Sequence, residues 1–227
     1  MMAHQYLQIA VTSRSKKMPY KTVSTNTSRI GAGSNRLSGR RLRLVAFASV
    51  IVVAAAAAWT NRAAAAQDCP ALLNHSMPRL QDEQPQSLCQ YAGKVVLAVN
   101  TASACGYTPQ YESLQKLNER YAARGLVIMG FPSADFRQEP KDNKGIAEQC
   151  FDVYGVRFPM FAKSGVVGQT ANPFFAALAR ETGEAPKWNF HKYLIDRQGR
   201  AVTSFPSAVD PLDRRLTGRI EQLLATR

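Results

Sequence analysis

Two short apolar runs fix the fold class before any other feature is considered. Lys94 to Asn100, KVVLAVN, and Leu126 to Phe131, LVIMGF, are long enough for buried strands and too short for helices. Between them Tyr111, Leu114, Leu117 and Tyr121 recur at three- and four-residue spacing, the period of a helix with one apolar face. Thr108 is placed to cap that helix, with Pro109 at its first position and Gly125 as its stop. A strand, a four-turn helix and a strand within about 40 residues make a βαβ unit, so the two strands pair in parallel.

The remaining pattern extends this unit. Gln67 to Tyr91 has no clear period and reads as loop and short strand. Asp142 to Tyr154 reads as a helix with Ile146, Cys150 and Val153 on one side. The short FPMF segment and a loop through Gly165 and Gly168 follow, and then Asn172 caps a helix that runs to about Glu181. Tyr193–Asp196 and Ala201–Phe205 flank Arg197-Gln198-Gly199-Arg200 as a β-hairpin, and Asp210-Pro211 opens a closing helix that runs to about Leu224. The order βαβ, helix, helix, ββα is that of an α/β thioredoxin-like domain with an inserted helix, its central mixed sheet covered by helices on both faces.

The first 66 residues have a different grammar. Arg40-Arg41-Leu42-Arg43 precedes an apolar stretch, Leu44 to Trp59, and then NRAAAAQ, which together form a secretory signal peptide with cleavage expected after Ala66. The apolar stretch is shorter than the roughly 20 residues of a spanning helix, and an uncleaved anchor over 44–59 is the alternative. Translation from Met18 would shorten the leader. Asp68 rather than a small residue precedes Cys69, which argues against a lipoprotein. The expected product, residues 67–227, is therefore an exported domain of 161 residues, periplasmic or membrane-anchored, enough for one sizeable core.

Removing the leader also removes ten basic and no acidic residues, so the formal charge of +13 falls to 19 basic against 16 acidic. With no basic stripe interleaved with aromatics left, nucleic acid is not an expected partner. His75 and His191 lie far apart with no cysteine at ligand spacing, so neither a metal nor another cofactor is expected. Cys69, Cys89, Cys105 and Cys150 all fall in the exported part, an even count that suggests disulfides but allows three pairings.

Cys105, in ASACGYTPQ, sits just before the start of the first helix and beside Gly106. Unpaired N–H groups and the positive end of the dipole favour a thiolate there, and the thiolate is the nucleophile of peroxide and disulfide chemistry. The competing reading is a small apolar residue packed in a tight turn.

Four stretches, NTASACGYTPQY at 100–111, GFPSADFRQEP at 130–140, YGVRFPMFAK at 154–163 and KWNFHKYLIDRQG at 187–199, resemble the glutathione peroxidase family in its cysteine-containing form, in order and spacing over nearly the whole exported domain. The resemblance implies a catalytic group of Cys, Gln, Trp and Asn, with Cys105 peroxidatic and Trp188 and Asn189 as donors to the sulfur or to the peroxide oxygens. Asp135 stands where the family's Gln is expected, in a segment one residue shorter. A carboxylate there would oppose thiolate formation unless protonated, paired with a cation such as Arg137 or turned away, and it could also accept the thiol proton. Cys150 falls on the resolving position of two-cysteine members, 45 residues beyond Cys105; its helical setting equally suits a buried core cysteine. As a resolving residue it would require its helix to unwind locally.

Cys69 and Cys89 match none of the family's reactive positions, and export makes a structural disulfide between them the expected pairing, closing a loop of about 20 residues. The implied activity is antioxidant reduction of hydrogen peroxide and organic hydroperoxides by a monomer, recycled by a thioredoxin-like protein or glutathione. A non-enzymatic redox sensor that oxidises a partner protein through the same two thiols is the rival. A dithiol oxidoreductase would need C-x-x-C, and a copper carrier paired Cys with His; both patterns are missing.

Overall fold

The computed structural model describes residues 68–226. The leader, its cleavage site and the alternative anchor lie outside the described residues. A small antiparallel hairpin, β1 (Ser76–Pro78) with β2 (Pro85–Ser87), comes first. It is tied back by a disulfide between Cys69 and Cys89, the pairing expected from the sequence, across a separation of 20 residues. The central sheet follows. β3 (Val95–Thr101) pairs in parallel with β4 (Leu126–Pro132), as the βαβ unit predicts, and antiparallel with β5 (Lys192–Ile195). β5 turns through the predicted hairpin into β6 (Ala201–Phe205), giving the order β4-β3-β5-β6. Asp196 closes that turn by accepting from the N–H groups of Gln198 and Arg200.

Because strand side chains alternate, β3 divides the core in two. Val95, Leu97 and Val99 pack with α1 (Gln110–Tyr121) on one face, and Val96 and Ala98 face the other. On the first face lie Ile146 of α2 (Asn143–Ala147) and Cys150. On the second lies α3 (Pro173–Thr182), capped as predicted by Asn172, whose Oδ1 accepts from the Phe175 N–H. α4 (Arg214–Ala225) joins α1 on the first face through Leu216, Ile220 and Leu223. The arrangement is a thioredoxin-like fold.

Three local expectations are corrected. α1 begins at Gln110 rather than Pro109, because the Thr108 hydroxyl is used elsewhere, accepting from the Cys105 N–H at 3.0 Å and donating to the Ala102 carbonyl at 3.0 Å. α4 begins three residues after Pro211, because Asp213 caps it while Asp210 caps the preceding turn. The helix expected over 142–154 is α-helical only to Ala147, and Glu148–Val153 is a π-helical turn in which the Tyr154 N–H reaches back to the Gln149 carbonyl at 3.1 Å. The wider turn carries an extra residue, so Val153 rotates off the buried line of Ile146 and Cys150 and is 75% exposed.

Candidate active site

β3 and β4 end, and β5 begins, at one end of the sheet, the position where an open α/β sheet presents its loops to ligands. The loop after β3 carries Cys105. Its backbone is fixed by three contacts: the Cys105 N–H on Thr108, the Ala104 N–H on the Gln138 carbonyl at 2.9 Å, and the Ser103 N–H and hydroxyl, both 2.8 Å from Glu139 Oε2. The Tyr107 N–H points at Cys105 Sγ from 3.4 Å. Cys105 is 8% exposed as a residue, where Cys150 is wholly buried. Burial also pushes the Cys150 thiol up to about 11, with the neighbouring Tyr111 hydroxyl pulling the other way. Burial holds Glu139 above the usual carboxylate range despite its Ser103 contacts.

The second wall is the turn from Trp188 to His191. Asn100, the last but one residue of β3, clamps it at both ends. Its Nδ2 donates to the Trp188 carbonyl at 3.1 Å, its Oδ1 accepts from the His191 N–H at 3.0 Å and its carbonyl accepts from the Phe190 N–H at 2.6 Å. Phe190 takes a positive φ of 62°, and its carbonyl receives the ammonium of the fully buried Lys192 at 2.7 Å. These contacts set Asn189 completely inside the protein, and neither end of its amide has a hydrogen-bond partner among the described residues. A buried amide in that state costs free energy unless something meets it. Trp188 is 41% exposed, its ring 5.5 Å from that of Phe136.

Asp135 turns its carboxylate toward the chain rather than toward a cation. Oδ2 accepts from the N–H groups of Val166 at 2.6 Å and Val167 at 3.0 Å, which anchors the loop that sets Phe136 against Trp188. The residues singled out in the sequence therefore form two linked groups. Asn100 ties the Trp188–Asn189 turn to the strand that leads into the Cys105 loop, and the 135–139 segment borders both. Cys150 lies beneath, packed with Tyr111 in the same core as Cys105. Sequence reasoning missed Asn100, Glu139 and Lys192. Asn100 and Lys192 had a visible signal, each a polar residue beside an apolar run that forms a buried strand.

A glutathione peroxidase family model matches residues 73–179. A glutathione peroxidase homolog BsaA from Halalkalibacterium halodurans is 44% identical over 151 residues, which is 64% of this chain and 95% of the relative. The chain belongs to the glutathione peroxidase family. It is accordingly a peroxidase. Another family relative, from Synechocystis, is a hydroperoxy fatty acid reductase, 42% identical over 63% of this chain and 90% of its own. Among solved structures, Trgpx in its apo form superposes with a TM-score of 0.56 at 30% identity, covering 68% of this chain and 95% of that one.

Proposed function

We propose that the protein reduces hydrogen peroxide and organic hydroperoxides through Cys105 as the peroxidatic residue and Cys150 as the resolving one. The observation that carries this reading is the Tyr107 N–H directed at Cys105 Sγ, which offers a thiolate a fixed donor at the less deeply buried of the two free cysteines among the described residues. The thiolate attacks the O–O bond. With one proton taken up, the products are a sulfenic acid on Cys105 and water or an alcohol. The amide of Asn189 and the indole of Trp188 supply donors for the charge that develops on the leaving oxygen. The Cys150 thiol then displaces water from the sulfenic acid to give a disulfide, and an external dithiol reduces it.

A thioredoxin-like protein suits a two-cysteine cycle better than glutathione, because it resolves an intramolecular disulfide in one exchange pair. The half-exposed Trp188 and the adjacent Phe136 give the rim an apolar character that suits bulky hydroperoxides, in keeping with the hydroperoxy fatty acid reductase of Synechocystis to which the chain is similar. Asp135, committed to backbone N–H groups, is assigned a positioning role. The Cys69–Cys89 bridge favours an exported, oxidising location, and we take the active form as a monomer.

The test is mass mapping of the protein, with Cys105 and Cys150 as free thiols and the 69–89 bridge intact, before and after one equivalent of hydrogen peroxide, together with steady-state turnover under a thioredoxin-type donor. A 105–150 bridge should appear while 69–89 persists, and Cys105→Ser should abolish consumption. A bridge from Cys105 to Cys69 or Cys89, or full turnover in Cys105→Ser, would overturn the assignment. A single turnover that stalls with every donor would instead indicate a sensor.

A further inference from the structure

A closed circuit of hydrogen bonds joins the loop of Cys105 to the turn of Cys150. Ser103, two residues before Cys105, gives its N–H and hydroxyl to Glu139 Oε2. Its carbonyl accepts from Gln149 Nε2 at 2.9 Å, and Gln149 is the residue immediately before Cys150. Gln149 Oε1 accepts from the Lys141 ammonium at 2.6 Å, and the Lys141 N–H returns to Glu139 Oε1 at 3.4 Å. The main chain of Gln149 is engaged as well, its carbonyl closing the π-helical turn through the Tyr154 N–H.

Cys105 and Cys150 are both free in this conformation, so bringing their sulfurs to about 2 Å requires the buried Cys150 and its turn to move. Moving Cys150 moves the adjoining Cα of Gln149 and breaks its contact with Ser103. Room for such a movement exists. Phe151, the next residue, borders two clefts, of about 420 and 610 Å³, on the flanks of the turn.

We propose that Gln149 is a positioning residue that latches the resolving turn to the peroxidatic loop, and that releasing this latch sets how fast Cys150 captures oxidised Cys105. The inference rests on the roles just proposed for the two cysteines. The sulfenic acid on Cys105 has two fates. With the Cys150 thiol it forms the disulfide and releases water. With a second hydroperoxide it becomes a sulfinic acid, releasing the alcohol. The latch holds the first route back, and so decides how much peroxide the enzyme tolerates before Cys105 is lost.

The experiment compares wild type with Gln149→Met and Gln149→Glu, neither of which can donate to Ser103, and with Lys141→Met, which withdraws the support on the far side of Gln149. Quenched-flow mass spectrometry follows three quantities: loss of the Cys105 thiol, appearance of the 105–150 disulfide, and the peroxide concentration that converts half of Cys105 to sulfinic acid. Removal of one net hydrogen bond should speed disulfide formation about fivefold, or about 1 kcal/mol, and raise the half-conversion concentration by about the same factor. Loss of the Cys105 thiol should keep its rate, and Lys141→Met should move the same way by less. Disulfide formation at an unchanged or slower rate in both Gln149 variants, with the first step intact, overturns the latch and leaves the cysteine assignment standing. Absence of any 105–150 disulfide in wild type overturns both.

Discussion

Lys192 should make this protein less stable at neutral pH than its packing allows. The side chain is fully buried on β5, its ammonium donating to the Phe190 carbonyl at 2.7 Å and lacking an ion-pair partner within salt-bridge distance among the described residues. Burial lowers its pKa from 10.5 to about 7, with only the more distant charge of Asp210 acting the other way. Folding therefore prefers the neutral amine. Below about pH 7 both folded and unfolded chains hold the proton and the full penalty applies. Between about 7 and 10.5 the unfolded chain binds more protons, so stability rises with pH until the penalty has gone.

At about 1.4 kcal/mol per pH unit this interval amounts to about 5 kcal/mol, a large fraction of the stability of a domain this size. Lys192→Met keeps the bulk and removes the charge, but it also leaves the Phe190 carbonyl without its donor, a loss of about 1 kcal/mol. The variant should thus be more stable than wild type by about 4 kcal/mol at pH 6, with the gap closing by pH 10. Urea denaturation at pH 6, 8 and 10, at constant ionic strength, measures it. Cys150 and Tyr193, both raised by burial to above this range in the folded protein, are common to the two proteins and cancel in the difference. A difference between the proteins that stays constant from pH 6 to 10 would refute the argument, since a Lys192 that keeps its ordinary pKa in the folded protein has no penalty to lose.

Asn100→Ala removes two side-chain contacts and leaves the Trp188 carbonyl and the His191 N–H unpaired, so it should cost about 2–4 kcal/mol by thermal or urea unfolding and lower kcat/KM for peroxide at least tenfold. Its effect on peroxide reduction should exceed that of any substitution of equal stability cost in α4. Asp135→Asn should cost about 1–2 kcal/mol while leaving the pH profile of peroxide reduction in place, because one anionic acceptor of the Val166 and Val167 N–H groups is replaced by a neutral one; a profile displaced by a pH unit or more would identify Asp135 as a proton acceptor instead. Replacing Cys69 and Cys89 together by Ser should cost about 3 kcal/mol and lower Tm by about 6–12 °C in calorimetry, with peroxide reduction retained at room temperature.

The elements were legible where a local rule decides them. The runs at 94–100 and 126–131 could not be helices at that length, and Asn172 could cap α3 because its own side chain reaches the Phe175 N–H three residues on. Rules of the same kind misplaced the ends of α1 and α4, where Thr108 and Asp210 had competing partners. The π-helical turn was invisible for a stronger reason. EQCFDV has no residue that forbids an ordinary helix, and the extra residue is accommodated by the packing of Cys150 under Tyr111 and the tether from Gln149 to Ser103, 46 residues away. Asp135 shows the converse, since its identity was plain but its orientation depended on two N–H groups 31 and 32 residues downstream.

The sequence by itself determined the parallel unit at the centre of the sheet, because hydrophobic period and turn chemistry are properties of neighbouring residues, whereas the Cys69–Cys89 pairing and the candidate catalytic residues were expected only once the family resemblance and the leader were read with it. Tertiary structure alone decided that Asn100 clamps a turn 88 residues further on, that Lys192 is buried beneath it, and that Cys150 is held in a widened turn latched to the loop of Cys105. Those are matters of which polar groups meet when distant segments close on one another, and burial makes each such meeting worth enough to override local preference.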